Sequence, residues 1–432
     1  MKKRSLVIIS TILLSGIIFT LVSCSFGSKF GKDVPSKGLK FLIDPYEEAE
    51  LYFYIVVGIG DCTDNDIVIP SEYNGMPVSG IARGAFKELN NLTSIKIPDS
   101  VTIIGEDAFH GCANLKSVTI GNGVTSICEG AFSGCNSLKY NEYDNGVYLG
   151  NKKNPHLVLI KAKDYTITSC VINENTKVIA DGAFSGCSSL TSINIPNGVT
   201  SICKGAFSGC NSLKYNEYDN GVYLGNKKNP HLVLIKAKDY TITSCVINEN
   251  TKVIAGGAFS GYSSLTSINI PNSVTSICDG AFRGCSSLTS INIPEGVGCI
   301  RDYTFYKCYN LTNINIPDSV TSIGNNAFYG CSNLESVTIG KSVTSIGGGA
   351  FFCCMNLRSI TLPQSVTSIG CKAFRACDGL RRGIKFTGTK AQWQSIKKGT
   401  DWNRGAIKYS DDYFVIHCAD GDIKTKTERS ET

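Results

Sequence analysis

Histidine and tryptophan are nearly missing from this chain, which holds four histidines and two tryptophans in 432 residues. His110, His156, His231 and His417 lie far apart, and His156 and His231 are copies of one another in a duplicated stretch. A catalytic set built on imidazole therefore has little to draw on. Charge is scarce as well: Lys, Arg, Asp and Glu make up 18% of the residues, with a net charge of +6. Three of those positive charges are Lys2, Lys3 and Arg4, and no nucleic-acid footprint is visible. No Gly-x-Ser-x-Gly elbow, phosphate loop or His-Glu-x-x-His segment occurs, so none of the usual placements of a nucleophile, a phosphate or a zinc ion is present. The expectation is no catalytic residue, no cofactor and no metal. Asp61, Asp64 and Asp66 have a calcium-like spacing, but the glycine and distal glutamate of a calcium loop are missing, and they read as a solvated turn.

What is present begins with an export signal. Lys2-Lys3-Arg4 precedes an apolar run from Leu6 to Leu21 and then Val22-Ser23-Cys24, the order of a secretory leader. The run of 16 residues is shorter than the roughly 20 needed to span a bilayer, which disfavours a retained membrane helix. Leu21-Val22-Ser23-Cys24 resembles a bacterial lipobox, which implies lipidation at Cys24 and anchoring to a membrane. Ser25 after the cysteine, by the same resemblance, implies the outer membrane or cell surface.

Phenylalanine then sets a register. It recurs at Phe86, Phe109, Phe132, Phe184, Phe207, Phe259, Phe282, Phe305, Phe328, Phe351 and Phe374, every gap being 23 residues except two of 52. Within one unit Leu92, Ile95, Ile97, Val101 and Ile104 return a turn later as Leu115, Val118, Ile120, Val124 and Ile127. A lone unit of this size cannot bury its apolar side chains. Stacked units place each column on itself, which leads us to expect one continuous core over roughly 13 turns. The Leu-x-x-Ile-x-Ile segment alternates like a short strand, and Gly-Ala-Phe-x-x-Cys reads as a short helical turn or bend on the opposite wall.

Gly182 to Pro196, Gly-Ala-Phe-Ser-Gly-Cys-Ser-Ser-Leu-Thr-Ser-Ile-Asn-Ile-Pro, resembles the BspA-type leucine-rich repeat of bacterial surface proteins, over roughly residues 41 to 418. The resemblance implies a curved leucine-rich-repeat solenoid with parallel strands and, often, adhesion to host matrix or to other microbes. The expected organisation is a lipoprotein signal peptide at 1–23, a tether at 24–40 and an N-terminal cap with a degenerate first turn at 41–82. The repeat array follows at 83–380, then a C-terminal cap at 381–420 and a loose polar tail at 421–432.

Each gap of 52 is one 23-residue turn plus 29 residues, and the irregular turns fall near 138–166 and 213–241. Asn145 to Leu149 and Leu157 to Ile160, joined through Asn151-Lys152-Lys153-Asn154-Pro155, read as a β-hairpin. Residues 125–199 recur as 200–274 with four changes: Glu129 to Lys204, Asp181 to Gly256, Cys187 to Tyr262 and Gly198 to Ser273. The insertions are either protruding contact elements carrying Lys152, Lys153, Lys227 and Lys228, or structural additions.

Twenty cysteines invite disulfide or metal readings, yet nine of them sit three residues after a repeat phenylalanine. Leu89 and Tyr262 occupy the same column, which an apolar slot permits and a ligand slot does not. A ladder of buried free thiols is expected, with a few disulfides as the alternative and no zinc-type pairing.

The remaining candidate is the outward side of the strands: Ser94, Lys96, Ser117, Thr119, Ser192, Asn194, Ser267, Asn269, Ser290, Asn292, Asn313, Asn315, Ser336, Thr338, Ser359 and Thr361. As a concave face it would hold an extended protein or glycan by many weak polar contacts; otherwise it is simply what a soluble solenoid displays. The functional expectation is a lipid-anchored surface protein that binds protein or glycan, with no nucleic-acid partner. The alternative is a periplasmic structural or assembly scaffold.

Overall fold

The computed structural model describes residues 35–43, 54–74, 76–381, 383–399, 401–404 and 414–425. The leader, Cys24 and the tether up to residue 34 lie outside the described residues. The chain is a β-solenoid of about 14 turns, and the one helix among the described residues is Lys390–Ser395.

A regular turn has three sides. The strand Ser336–Ile339 alternates exposed and buried residues, because successive side chains of an extended chain face opposite ways. It pairs in parallel with Asn313–Ile316 before it and Ser359–Leu362 after it. A second strand of two residues, Ser345–Ile346, stacks likewise between Ser322–Ile323 and Ser368–Ile369. The third side, which carries the phenylalanine, is a run of tight hydrogen-bonded turns and not a helix. Its backbone bonds run forward to the next turn, from Phe328 N–H to the Ala350 carbonyl at 2.7 Å and from Gly330 N–H to the Phe352 carbonyl at 2.8 Å. Two residues per turn take a left-handed backbone there, as at Gly280 (φ +59°) and Gly284 (φ +73°), where a side chain would be strained.

The phenylalanine rings form columns. From Phe259 to Phe374 successive rings stack nearly parallel, with centroids 5.1 to 5.6 Å apart, and Trp402 meets the last ring edge-on at 6.2 Å. Beside them the column cysteines donate S–H bonds to the phenylalanine carbonyl of the turn before, as from Cys331 to Phe305 at 3.2 Å and from Cys377 to Phe351 at 3.0 Å. A thiol is small enough for the slot and supplies the donor that the carbonyl needs. Tyr262 reaches the Ala237 carbonyl with its hydroxyl instead, at 3.1 Å. None of the nineteen described cysteines is joined in a disulfide.

The core is not continuous, contrary to the expectation from stacking alone. It falls into three clusters, and the breaks lie at the two insertions. Gly146–Leu149 and Val158–Ala162 do form the expected antiparallel hairpin, but Asn141–Tyr143 adds a third strand and Val158–Ala162 then runs parallel to Val178–Ile179. The hairpin is built into the wall rather than projecting from it: every residue of Gly146–Leu149 is buried, and Tyr148 is fully enclosed. Val158 and Val178 face the first core while Leu159 and Ile179 face the second. These strands are thus apolar on both faces and act as a partition; Val233, Val253, Leu234 and Ile254 repeat the device between the second and third cores.

Where the regular stacking stops, backbone carbonyls lose their next-turn partners and other groups must satisfy them. The buried Ser201 hydroxyl donates to the Thr125 carbonyl and the buried Ser276 hydroxyl to Thr200, both at 2.7 Å. Arg301 joins the second seam, donating to Ser201 Oγ at 2.7 Å, to the Thr200 carbonyl at 3.1 Å and to Ser276 Oγ at 3.2 Å.

At the carboxyl end Phe414–Cys418 pairs in parallel with Ile384–Phe386 and antiparallel with Gly421–Thr425. The stretch from Gly421 therefore begins as an ordered strand, where polarity alone suggested a loose tail. Cross-strand pairing to Phe414–Cys418 outweighs composition.

Candidate functional site

None of the sixteen strand-face positions is buried, and their neighbours across the strands are one another. Asp66, Ser94 and Ser117 form one row, Val68, Lys96 and Thr119 the next. Ser169 pairs Ser192 and Val171 pairs Asn194; the copy pairs Ser244 with Ser267 and Val246 with Asn269. Asn313, Ser336 and Ser359 make a third row. The rows do not join into one long ladder, because each insertion ends a sheet and because Ser290 and Asn292 lie in chain with no strand pairing.

The pairing also exposes members of the face that side-chain type alone did not suggest. Val171 and Val246 stand outward at 43% and 44% exposure, two apolar points in a polar surface. The row Asn315, Thr338, Thr361 continues through Lys385 and His417 to Asp422. His417 Nδ1 lies 3.0 Å from the Asp422 carboxylate. At the other end Asp66 accepts from the hydroxyls of Thr93 at 2.5 Å and Ser94 at 2.6 Å, and those bonds hold its carboxyl below the usual range. The alternation Ile384-Lys385-Phe386 was the sequence signal for the extension; the register with Phe414–Cys418 had none.

The lysine-tipped loops bend back onto this face. Asn151 accepts the N–H groups of Lys153 and Asn154 on its Oδ1 at 3.0 Å, while its Nδ2 donates to the Ile120 carbonyl at 3.0 Å and to Asn122 Oδ1 at 3.1 Å. Asn226 does the same for the second loop, donating to the Ile195 carbonyl at 2.8 Å and to Asn197 Oδ1 at 3.0 Å. One asparagine thus sets the loop conformation and ties it to the end of the preceding strand. The result at the second copy is a shallow cleft of about 510 Å³ in which Lys227 and Lys228 meet Asn194, Asn197, Asn226 and Glu174. The structure therefore brings together two of the nominated sets, a strand-face residue and a lysine pair. Asn197 and Glu174 were not foreseen. The equivalent acid at the first copy, Asp99, is engaged by the Asn122 backbone N–H at 2.7 Å.

Chemically this cleft offers exposed ammonium groups, side-chain amides and one carboxylate. It suits recognition of an extended polar chain. The thiols are set apart from it by burial, which pushes Cys135, Cys285 and Cys331 up to about 12, so they stay protonated at neutral pH. Among the described residues no three His, Cys, Asp or Glu side chains are grouped to hold a metal ion, and no helix is long and apolar enough to cross a membrane.

The family model described as the BspA type leucine rich repeat region matches residues 65–152, 162–227 and 238–381, in six copies. The chain belongs to this family. Within its span the match leaves out 153–161 and 228–237, which hold Lys153, Lys228 and most or all of the strands Val158–Ala162 and Val233–Ala237, while Lys152 and Lys227 lie inside it. Among solved structures, a leucine rich cell surface protein from Faecalibacterium prausnitzii is 26% identical, over 86% of this chain and 99% of that one, with a TM-score of 0.35. A leucine-rich repeat protein from Bacteroides ovatus is 25% identical over 90% and 100%, with a TM-score of 0.36. The pneumococcal vaccine antigen PcpA is 16% identical over 93% and 100%, with a TM-score of 0.37. No curated protein matches the chain.

Proposed function

We propose that this BspA-type repeat protein is an exported, lipid-anchored binding protein that captures an extended protein or glycan ligand at the cell surface. Adhesion to host matrix or to other cells is the expected use. Membership of a leucine-rich-repeat family supports protein binding in general. The basic leader with Leu21-Val22-Ser23-Cys24 supports export and a lipid anchor at Cys24. The observation that carries the reading is the shallow cleft lined jointly by Lys227, Lys228, Asn194 and Asn197. In this reading the strand-face hydroxyls and amides supply many weak contacts, and the loops with Lys152, Lys153, Lys227 and Lys228 supply charge that draws in and orients an anionic stretch of ligand.

The test has two arms. Protease treatment of intact cells should remove the folded part of a surface protein; protection until the outer membrane is disrupted would leave the periplasmic scaffold as the reading. A chain with all four loop lysines changed to Gln should bind a panel of immobilised matrix proteins and glycans more weakly than the parent and lose its salt dependence. Equal binding would remove the loops from the site.

A further inference from the structure

A different wall of the same molecule changes character along one column of the repeat. The residue after each buried phenylalanine is Lys87, His110, Ser133, Ser185, Ser208 or Ser260 in the earlier turns. From Phe282 onward it becomes Arg283, Tyr306, Tyr329, Phe352 and Arg375, one per turn. Tyr306 stacks on Tyr329 with centroids 4.8 Å apart, and Tyr329 on Phe352 at 5.0 Å with planes 2° from parallel. Cations close both ends: Arg283 lies 4.9 Å over Tyr306 and Arg375 5.7 Å over Phe352, and Lys307 adds a charge 5.3 Å over Tyr306. Over four steps of about 4.8 Å this makes a stripe roughly 20 Å long.

The chemistry of the stripe narrows what fits it. Ring faces are occupied by one another and by the end cations, so what remains outward is ring edge, phenolic oxygen and guanidinium N–H. Ring edges carry the positive side of the aromatic quadrupole, so edge and cation have the same preference. None of Arg283, Lys307 and Arg375 forms an ion pair with a carboxylate among the described residues. Tyr309, 43% exposed, and Met355, 48% exposed, occupy one further column of the same wall. Tyr309 and Lys307 flank Gly330, where an added Cβ would lie 3.9 Å and 3.5 Å from them. A sugar ring would need an open aromatic face to stack on; carboxylates and apolar side chains find their counterparts here.

We infer that the Arg283–Arg375 ladder docks an acidic, partly apolar peptide segment of a partner protein. Carboxylates meet Arg283, Lys307 and Arg375, and apolar side chains lie along the ring edges, Tyr309 and Met355. The surface is independent of the lysine-loop cleft.

Serine already fills this column in four turns, so Tyr306→Ser, Tyr329→Ser and Phe352→Ser together should fold. Arg283→Gln with Arg375→Gln removes charge and keeps the stack. The mature chain is titrated into a fluorescent Glu–Tyr copolymer, polyglutamate and a sulfated polysaccharide, with thermal melts as the folding control. The copolymer should bind best, and each variant should weaken it by about tenfold or more, while Lys-to-Gln changes at 152, 153, 227 and 228 leave it unaltered. Absent copolymer binding, or binding indifferent to both ladder variants, would overturn the inference. Ladder-dependent binding of the polysaccharide in place of the copolymer would overturn the choice of partner. If the serine variant fails to melt cooperatively, the arginine pair decides.

Discussion

The duplicated stretch, residues 125–274, and the regular array that follows it to residue 381 use the same 23-residue unit and differ in what the unit is allowed to stack on. In the regular array the phenylalanine column runs unbroken through five rings from Phe282 to Phe374 and reaches back to Phe259 in the last turn of the duplicated stretch, and its long strands belong to one six-stranded sheet. In the duplicated stretch Phe184 stacks only on Phe207, the long strands pair in twos, and a polar seam of serine hydroxyls replaces backbone pairing. An inserted hairpin in a solenoid thus does more than lengthen a loop. It ends the phenylalanine stack and the long-strand sheet, starts a new core, and leaves a lysine-tipped loop tied to the strand end where the old sheet stopped. Regularity provides continuous packing; its interruption provides the shaped cleft.

That contrast can be broken or sharpened by experiment. The largest effect should come from alkali. Burial raises the thiols of Cys285 and Cys331 to about 12 and those of Cys308 and Cys354 well above their usual value, whereas an unfolded thiol ionises near 8.5 to 9. The folded state then holds protons that the unfolded state has lost, so stability is intact below pH 9 and falls as pH rises towards 12. Hydrogen exchange at stepped pH should show the regular array, with five consecutive column cysteines from Cys285 to Cys377, loosening most steeply. A flat profile would contradict the free-thiol ladder.

Next in size is the ring column. Phe328→Ala, at a fully buried ring stacked on both sides, should destabilise by about 3–5 kcal/mol. Phe207→Ala, at the end of a two-ring stack and 8% exposed, should cost less in urea denaturation. Val178→Ser converts the partition strand to the Ser-Ile of an ordinary turn, and should cost about 2–3 kcal/mol by placing a hydroxyl in the first core. Ser345→Val in the regular array should stay within about 0.5 kcal/mol. Arg301→Gln, which removes donors from Ser201, Thr200 and Ser276, should cost about 1–2 kcal/mol, read as faster exchange at the second seam and no change near Phe86.

The sequence made the periodic part of this picture legible because one large apolar residue per turn must occupy one column. The phenylalanine spacing, the outward alternation at Ser336 and Thr338 and the cysteine column all follow from that. The division of the core did not, although a partial sign was present: the short strand reads Ser-Ile in six turns but Val178-Ile179 and Val253-Ile254 beside the insertions, with Ile103-Ile104 and Cys299-Ile300 as the other departures. A strand apolar on both faces needs two cores, and only the packing says where the second one is. The extension of the strand-face rows through Lys385, His417 and Asp422 depended on long-range pairing, which local alternation does not encode. Lys152, Lys153, Lys227 and Lys228 were visible as charge on a turn; that Lys227 and Lys228 would line one cleft with Asn194 depended on the Asn226 hydrogen bond to the Ile195 carbonyl, 31 residues away.

The central claim is that the proposed lysine-loop site arises where the repeat is interrupted. Its most direct test is to titrate the mature chain and its Lys152→Gln, Lys153→Gln, Lys227→Gln, Lys228→Gln variant against a captured matrix ligand, with both proteins melting alike. The account predicts at least about a tenfold loss of affinity that disappears at high salt. Equal affinity at low salt would contradict it.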